Sequence, residues 1–448
     1  MQKTHVIGID LGTSNCAVSL ARLGDETPTT LTIKQIFSPT TQGESHVLPS
    51  VVYIPAAGEF GDTVNILPWE KTEGQKYIVG QYARERGCVV PDRVVTSAKS
   101  WLCNSQVDRS EPILPWRSDV GQKISAIDAS VMFLGHIRAA IEDTYRGELS
   151  IAECHAVITV PASFDEVARG LTAKAAALAG FSDVTLLEEP QAAFYSWIVE
   201  HKEEWRKDIK PGDVVLVCDL GGGTADFSLI VVSENQGELL LERIAVGEHI
   251  LLGGDNMDLA LAYALSSELE AEGTNIDDWQ FLALRELARN GKERLFSEKG
   301  LLEVPLSLPS RGSSLFAKAV SVKLTRAILN RVVLDGFFPL TNISDRPARR
   351  RGSGLAEYGL PYAQDPVLSK HLAHFLTESL KNIESDPKLK ALVPEVSRQG
   401  GFVCPKVVLF NGGVFNAPEI RERVLGLLTS WSGMSERYEL KAKSLELA

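Results

Sequence analysis

The stretch DLGGGTAD, Asp219 to Asp226, is the strongest indication of the fold, and a shorter relative, DLGTSN, lies at Asp10 to Asn15. Each follows an apolar, β-branched run and precedes an alternating run, so each predicts a hairpin of strand, tight turn and strand. A lone Asp-Leu-Gly turn commonly binds nothing. Three glycines between two acids, however, destabilise a hairpin unless something occupies the space beside them. The repetition predicts two similar lobes that face each other.

The composition is that of a globular protein large enough for two lobes. Of its 448 residues, 44% are hydrophobic and 23% are charged. The net charge of -12 excludes a general nucleic-acid binder, because such domains carry a basic face. No apolar run reaches the roughly 20 residues that a membrane span needs, and the N-terminus has no signal-peptide pattern. We therefore expect a cytoplasmic protein with no membrane partner, in which six separated cysteines are buried thiols.

The sequence between the two hairpins alternates strand and helix signals. AVITV ends at a proline, Ser163 and Glu166 have capping-box spacing, and the Ala-rich helix that follows ends at Gly180. VTLLEE predicts a further buried strand, and Pro190 suits the first turn of the next helix. This order predicts a largely parallel sheet that extends the first hairpin.

Each lobe is expected to carry an insertion within its core. Lobe I is predicted to span residues 1–205, with a core of 1–24 and 126–205 and an insertion of 25–125. Lobe II is predicted to span residues 206–448, with a core of 206–248 and 300–448 and a helical insertion of 249–299. Within lobe II, the Gly-, Pro- and Arg-rich stretch from Asn342 to Asp365 predicts a long exposed loop.

Both turns have the chemistry to hold a polyphosphate. Glycines 221–223 let backbone N–H groups approach a phosphate closely. Asp10 and Asp219 are predicted to project from strand ends toward one cleft, where one or two carboxylates suit a hydrated magnesium ion. Hydroxyls at Thr13, Ser14 and Thr224 supply further donors.

A third glycine element follows the strand VVLF near the end of the chain. Gly412 and Gly413 are predicted to lead into a helix whose N-terminal amides meet the sugar or phosphate side of a nucleotide. A Walker loop is excluded, because such a loop runs from strand to helix and ends in Gly-Lys-Ser/Thr. Two opposed hairpins would form a phosphate-binding site of a different kind.

These stretches resemble the ATPase superfamily shared by actin, hexokinase and the seventy-kilodalton heat-shock chaperones, and the last most closely. VIGIDLGTSNCAV is similar to the chaperones' opening phosphate loop, DLGGGTADFSL to their second, and VVLFNGGVFNAPEI to their adenosine loop. AVITVPASFDEVAR and LLEEPQAA resemble the segments between them. The resemblance implies an α/β chain with the actin-like ATPase fold and its ribonuclease H-like motif. In that fold, two lobes, each a mixed β-sheet with flanking helices, surround a central nucleotide cleft.

The resemblance also implies roles for single residues. Asp10 and Asp219 match acids that bind magnesium through water, and Lys99 matches a lysine that reaches the γ-phosphate, with a solvated surface lysine as the alternative. The implied catalytic residues are Lys99, Glu189, Asp219, Thr224 and Asp226. The implied nucleotide-binding residues are Asp10, Gly12, Thr13, Ser14, Asn15, Gly221, Gly222, Gly223, Thr224, Gly253, Gly254, Lys292, Gly412 and Gly413. Pro161 and Arg169 match switch residues that couple nucleotide state to a substrate domain.

Several positions depart from the family's pattern. Where the family places residues for ribose and adenine, Arg289, Glu293, Val414 and Asn416 differ and only Lys292 fits, which predicts weaker or altered base recognition. The arginines at 349–351 either bind an acidic partner or lie in a solvated loop, and the loop is the simpler interpretation.

The resemblance implies slow hydrolysis of ATP to ADP with Mg²⁺, and K⁺ is a further candidate ion. Lobe closure would then signal to a peptide-client domain or co-chaperone outside this chain, which ends before the family's peptide-binding domain. A monomer is favoured. Two alternatives remain open, namely a sugar or metabolite kinase on the same scaffold and a nucleotide sensor with little hydrolysis.

Overall fold

Two units, each with its own sheet, make up the chain. The first comprises Met1–Tyr195 with Gly354–Pro361 and Leu447–Ala448, and the second Ser196–Ser353 with Tyr362–Glu446. The computed structural model describes residues 3–25, 27–60, 67–70, 77–116, 118, 122–235, 238–308, 320–348, 360, 363–433 and 438–441.

The first unit contains a mixed sheet, two small sheets and flanking helices. Its strands are β1 (His5–Leu11), β2 (Asn15–Arg22), β3 (Thr29–Thr30), β4 (Ile33–Ser38), β5 (Thr41–Ser45), β6 (Val47–Pro49), β7 (Val52–Tyr53), β8 (Ile78–Val79), β9 (Val94–Val95), β10 (Cys154–Val160) and β11 (Val184–Glu188). Its helices are α1 (Gln81–Val89), α2 (Ala98–Cys103), α3 (Ala126–Thr144), α4 (Glu166–Leu178) and α5 (Glu189–His201), and the boundary between the two units falls within α5.

The main sheet of the first unit has the order β11-β10-β1-β2-β3, with β6 also paired to β2. The strands β1 and β2 form the predicted hairpin, and β10 and β11 extend it in parallel. Ile7, Ile9 and Leu11 of β1 are buried, whereas Asp10 between them is exposed. The period-2 pattern of the sequence therefore places the core on one face and the acid on the other.

Two local predictions for this unit are wrong. The N-cap of α4 is Asp165, whose carboxylate accepts a hydrogen bond from the backbone N–H of Ala168 at 2.8 Å, so Ser163 and Glu166 form no capping box. Asp165 lies immediately before the helix and reaches the same free amides as a serine would. Strand β11 is half-buried rather than buried, because it lies at the edge of the sheet. The helix end at Gly180 is confirmed by the left-handed φ of 97° there.

The second unit repeats the plan of the first. Its strands are β12 (Val214–Leu220), β13 (Ala225–Asn235), β14 (Glu238–Val246), β15 (Glu303–Leu308), β16 (Val320–Thr325), β17 (Val407–Asn411) and β18 (Tyr438–Lys441). Its helices are α6 (Trp205–Asp208), α7 (Gly254–Ala271), α8 (Asp278–Ser297), α9 (Arg326–Leu329), α10 (Asp335–Phe337), α11 (Leu368–Ser385), α12 (Pro387–Leu392) and α13 (Pro418–Ser432), with a π-helical turn at Asn330–Leu334 between α9 and α10.

The main sheet of this unit has the order β14-β13-β12-β17-β18. As in the first unit, a hairpin is extended by two parallel strands beyond its first strand. Strand β12 is buried almost throughout, which explains its unbroken apolar run VVLVC. The predicted shared plan of the two halves is therefore confirmed at the level of strand order.

The segment predicted as an exposed loop, Asn342 to Asp365, is described at 342–348, 360 and 363–365, and the arginines 349–351 lie outside the described residues. Its end is not exposed. Asp365 is 5% exposed and accepts hydrogen bonds from the backbone N–H of Ala348 and from Lys370 Nζ. The carboxylate therefore ties down the end of this segment. None of the helices in the described ranges is long and apolar enough to cross a lipid bilayer.

Candidate functional site

The turn between β1 and β2 is a tight bend that leaves one buried hydroxyl. A Cβ atom at Gly12 would lie 2.1 Å from the carbonyl oxygen of Asn15, so only glycine fits there. The Oγ of Ser14 is buried and has no hydrogen-bond partner in the described part of the chain. Buried hydroxyls are normally satisfied, so this one suits the oxygen of a bound anion.

Asp10 ends β1 beside this turn. Its Oδ1 accepts a hydrogen bond of 2.8 Å from the Oγ1 of Thr159 on the neighbouring parallel strand β10, where the two residues are register partners. The bond fixes the direction of an exposed carboxylate at the end of a rigid strand. Such a carboxylate suits a hydrated magnesium ion, which keeps most of its water ligands.

Lys99 and Glu189 form a buried ion pair in the first unit. Lys99 on α2 is 8% exposed, and its Nζ contacts the Oε1 of Glu189, the first residue of α5. The alternative of a solvated surface lysine is therefore wrong, because burial of an ammonium group requires such a partner. The pair gives the site one cation and one carboxylate in a poorly hydrated environment.

Cys16 shows that this pair lies close to the first turn. Burial raises the pKa of its thiol to about 12, the hydrogen bond with the Ser50 side chain opposes this, and the charges of Asp10 and Lys99 act on it in opposite directions. The sheet register agrees, since Asp10 is opposite Thr159 and Thr159 is opposite Leu187, two residues before Glu189. Asp10, Lys99 and the turn are therefore neighbours in the first unit.

A second ion pair lies next to Glu189 in sequence. The Nη2 of Arg169 on α4 contacts the Oε1 of Glu188 at 2.8 Å, and its Nε donates to the carbonyl oxygen of Phe164 at 3.3 Å. Consecutive glutamates thus pair with cations from α2 and α4. The switch roles of Arg169 and Pro161 stay predictions.

The second turn, between β12 and β13, places two acids directly opposite each other. Asp219 and Asp226 are cross-strand partners, and like charges in that arrangement destabilise a hairpin. Asp219 Oδ2 accepts from Asn411 Nδ2 at 2.9 Å, and Asp226 Oδ1 accepts from His249 Nδ1 at 3.0 Å. These donors offset part of the repulsion, and a bound cation would offset more.

The glycines of this turn are held by the start of α7. The N–H of Gly221 donates to the carbonyl oxygen of Thr224 at 3.0 Å, which closes the bend. The carbonyl oxygens of Gly221 and Gly222 accept from the N–H groups of Gly254 and Asp255, at 3.0 and 2.7 Å. A Cβ atom at Gly253 would lie 2.4 Å from the oxygen of Gly222. The close contact of two backbones explains a glycine pair at 253–254.

Lys292, predicted to bind ribose, lies beneath the same helix end. Its Nζ contacts Asp258 Oδ1 at 2.7 Å and the carbonyl oxygen of Gly254 at 3.5 Å. Arg289, one turn earlier on α8, contacts Asp255 at 2.7 Å and Asp258 at 2.9 Å. Both cations therefore brace the start of α7, and whether either also touches a nucleotide stays a prediction.

The glycine pair after β17 leads into the predicted helix through one short turn. Gly413–Asn416 form a 3₁₀ turn, and α13 begins only at Pro418. Gly412 has a φ of 89°, and a Cβ atom there would lie 2.2 Å from the carbonyl oxygen of Leu220. The first glycine of the pair is therefore required by its contact with the strand before the second turn.

Sequence reasoning missed the donors that hold the two leading acids. Thr159 and Asn411 occupy equivalent places, near the end of the parallel strand beside the hairpin, and each donates to the acid of that hairpin. The only signal was a polar residue at the end of an apolar strand. His249 and Arg84, which contact Asp226 and the first turn, gave no signal either.

Comparison with known proteins identifies the family. A family model described as "Hsp70 protein" matches residues 6–340. The chain belongs to the Hsp70 family. It is 30% identical over 285 residues to "Chaperone protein HscA homolog" of Pseudoalteromonas atlantica, covering 61% of this chain and 39% of that protein. The protein of the same name from Acinetobacter baumannii is 28% identical over 361 residues, covering 77% and 51%. The chain thus spans about half or less of the length of these relatives.

Membership of the Hsp70 family confirms the predicted fold class. The actin-like ATPase fold is a mixed α/β fold, and each unit of this Hsp70-family chain carries a mixed sheet with the same strand order. Within the first unit, the structure brings together Asp10, the turn, Lys99 and Glu189. Within the second, it brings together Asp219, Asp226 and the glycine turn. That both groups act on one nucleotide stays a prediction.

Proposed function

We propose that this chain is the ATP-binding and slowly ATP-hydrolysing part of a DnaK-like molecular chaperone, with Mg²⁺ as its metal. The observation that carries the proposal is the buried pair of Lys99 and Glu189 beside the first turn. A buried lysine and carboxylate next to a glycine turn with an unsatisfied hydroxyl at Ser14 suit phosphoryl chemistry. The fold alone does not require this ion pair, because two apolar side chains would pack there without the cost of desolvating charges.

The residues of the first unit fit the terminal phosphates. The hydroxyls of Thr13 and Ser14 would donate to phosphate oxygens, together with the backbone of Gly12 to Asn15. Lys99 would offset the negative charge that develops on the transferred phosphoryl group. The contact with Glu189 compensates the charge of the buried ammonium group.

The residues of the second unit fit the metal and the attacking water. Asp219 would hold the magnesium ion through water, as would Asp10, and bound Mg²⁺ supplies charge compensation to the phosphates. Thr224 and Glu189 would orient the water, and Asp219 or Asp226 would accept its proton.

We further infer that hydrolysis signals to a peptide-client domain or a co-chaperone outside this chain. The physical link in the first unit is a small apolar cluster of Val160, Phe164 and Ala168, against which Cys103 packs. Cys103 ends α2, the helix that carries Lys99, and Phe164 lies in the segment from Pro161 to Arg169. A movement of Lys99 on loss of the γ-phosphate would therefore be transmitted to this segment.

Calorimetry with MgATP and MgADP, combined with a phosphate-release assay, tests the proposal. We expect binding of both nucleotides and slow release of phosphate, and we expect Lys99→Met to lower this release about 100-fold or more. Lys174→Met, a substitution of an exposed lysine on α4, is the matched control and should behave as the wild type. Binding without release would instead assign a nucleotide sensor. Strong stimulation of ATP consumption by a small alcohol would assign a kinase, and absence of binding would overturn the proposal.

A further inference from the structure

Two residues of the 25–125 segment hold the first turn from outside it. Arg84 on α1 donates from Nη2 to the carbonyl oxygen of Ser14 at 3.0 Å and to Asn15 Oδ1 at 2.8 Å, from 70 residues away in sequence. Ser50 donates from its N–H to the same carbonyl at 3.0 Å and from its Oγ to the carbonyl oxygen of Gly12 at 2.7 Å. The carbonyl oxygens of Gly12 and Ser14 are therefore both held in place.

The hydroxyl of Ser50 is itself held in one orientation. It has a single hydrogen, which Gly12 O receives, so the contact of 3.2 Å with Cys16 Sγ must have the thiol as donor. The thiol keeps its proton because burial raises the pKa of Cys16 to about 12. Ser50 is 2% exposed. Cys16 thus donates to Ser50, and Ser50 donates to the carbonyl oxygen of Gly12.

Fixed carbonyls determine where the turn's amides point. In a planar trans peptide, the C=O of one residue and the N–H of the next point in opposite directions. With the oxygens of Gly12 and Ser14 directed toward Ser50 and Arg84, the N–H groups of Thr13 and Asn15 are directed to the other side. Amides that are aimed before a ligand arrives bind an anion without the cost of reorganisation.

We propose that Arg84, with Ser50, is a positioning residue for the first turn, which orients its amides toward the phosphates of a bound nucleoside triphosphate. The inference rests on the proposed function. Arg84 acts through Ser14 and Asn15 and is assigned no contact with the nucleotide. Its half-buried guanidinium adds a positive charge behind the turn that solvent screens only partly.

The test compares Arg84→Gln with Arg84→Lys, Ser50→Ala and the control Glu85→Gln. Glu85 is exposed on the same helix and accepts a hydrogen bond from Gln81 at 3.1 Å, with no contact to the turn. We expect Arg84→Gln to weaken MgATP binding about tenfold, and Ser50→Ala about fivefold. Arg84→Lys, which keeps the charge but reaches one acceptor, should recover part of the loss. Glu85→Gln should bind as the wild type does.

A readout beyond folding is the preference for ATP over ADP. Because Thr13 is assigned to the terminal phosphate, Arg84→Gln should lower the ratio of ATP to ADP affinity about fivefold and raise KM more than it lowers kcat. Unchanged ATP affinity and unchanged preference in Arg84→Gln, with wild-type binding intact, would overturn the inference alone. Absence of MgATP binding in the wild type would overturn the proposed function and the inference with it. If Arg84→Gln does not fold, the MgATP affinity and the ATP preference of Arg84→Lys and Ser50→Ala test the inference in its place.

Discussion

Replacing Lys99 or Glu189 should show how much their ion pair contributes to stability and whether Lys99 takes part in ATP hydrolysis. Lys99 has 8% and Glu189 14% of its side-chain surface exposed, so loss of one partner leaves the other charge largely desolvated. Breaking a buried pair in this way costs about 3–5 kcal/mol. We expect Lys99→Met and Glu189→Gln each to lower the free energy of unfolding by about 3 kcal/mol, Glu189→Gln somewhat less because an amide still accepts hydrogen bonds.

The double variant isolates the interaction itself. When both charges are absent, neither is left buried alone, so Lys99→Met/Glu189→Gln should be less destabilised than the sum of the single changes by about 2 kcal/mol. Urea denaturation of the four proteins at pH 7 measures this coupling. Additive effects, within about 0.5 kcal/mol, would show that the two side chains do not stabilise each other, because independent sites behave that way.

The same variants separate a structural role from a chemical one. If Lys99 offsets charge in the transition state, Lys99→Met should lower turnover about 100-fold or more while MgADP affinity changes little. The exposed lysine variant Lys174→Met provides the baseline. Normal turnover in Lys99→Met, whatever its stability, would remove this lysine from the proposed chemistry.

Three further outcomes are expected. Burial lowers the pKa of His136 to about 4 from an ordinary 6.5. Because the unfolded chain takes up the proton first, the free energy of unfolding should decrease by about 3 kcal/mol as the pH falls from above 6.5 through 4. Urea denaturation of His136→Gln should show little of this decrease. Gly412→Ala should lower the free energy of unfolding by about 2 kcal/mol or more, since its Cβ would lie 2.2 Å from Leu220 O at a φ of 89°. Gly426→Ala on α13, where a Cβ meets open space, should cause no such loss. Equal melting temperatures for the two variants would contradict the close contact at Gly412. Asp219→Asn should leave the metal-free protein as stable as the wild type or slightly more stable, because it removes the repulsion between Asp219 and Asp226. The same change should abolish the rise in melting temperature that Mg²⁺ with ADP produces. A preserved rise would exclude this carboxylate from metal binding.

Local patterns were enough to predict the two hairpins, because strand alternation and glycine turns are properties of neighbouring residues. The burial of Lys99 was not predictable in that way, since its partner Glu189 is 90 residues distant. The same holds for Thr159 and Asn411, which reach acids 149 and 192 residues away. The capping-box spacing predicts Ser163 as the cap of α4, but Asp165 is the N-cap, because two side-chain oxygens lie near the same helix end. Contacts between distant segments, rather than propensities, account for most of what was missed.

The stoichiometry of MgATP binding, in the wild type and in variants of each turn, tests whether both turns act on one nucleotide. One nucleotide per chain is predicted, with binding strongly weakened both by Asp10→Asn in the first unit and by Asp219→Asn in the second. Binding that survives unchanged when either acid is replaced, or that requires only one of the two turns, would show that the two turns do not act together on one nucleotide.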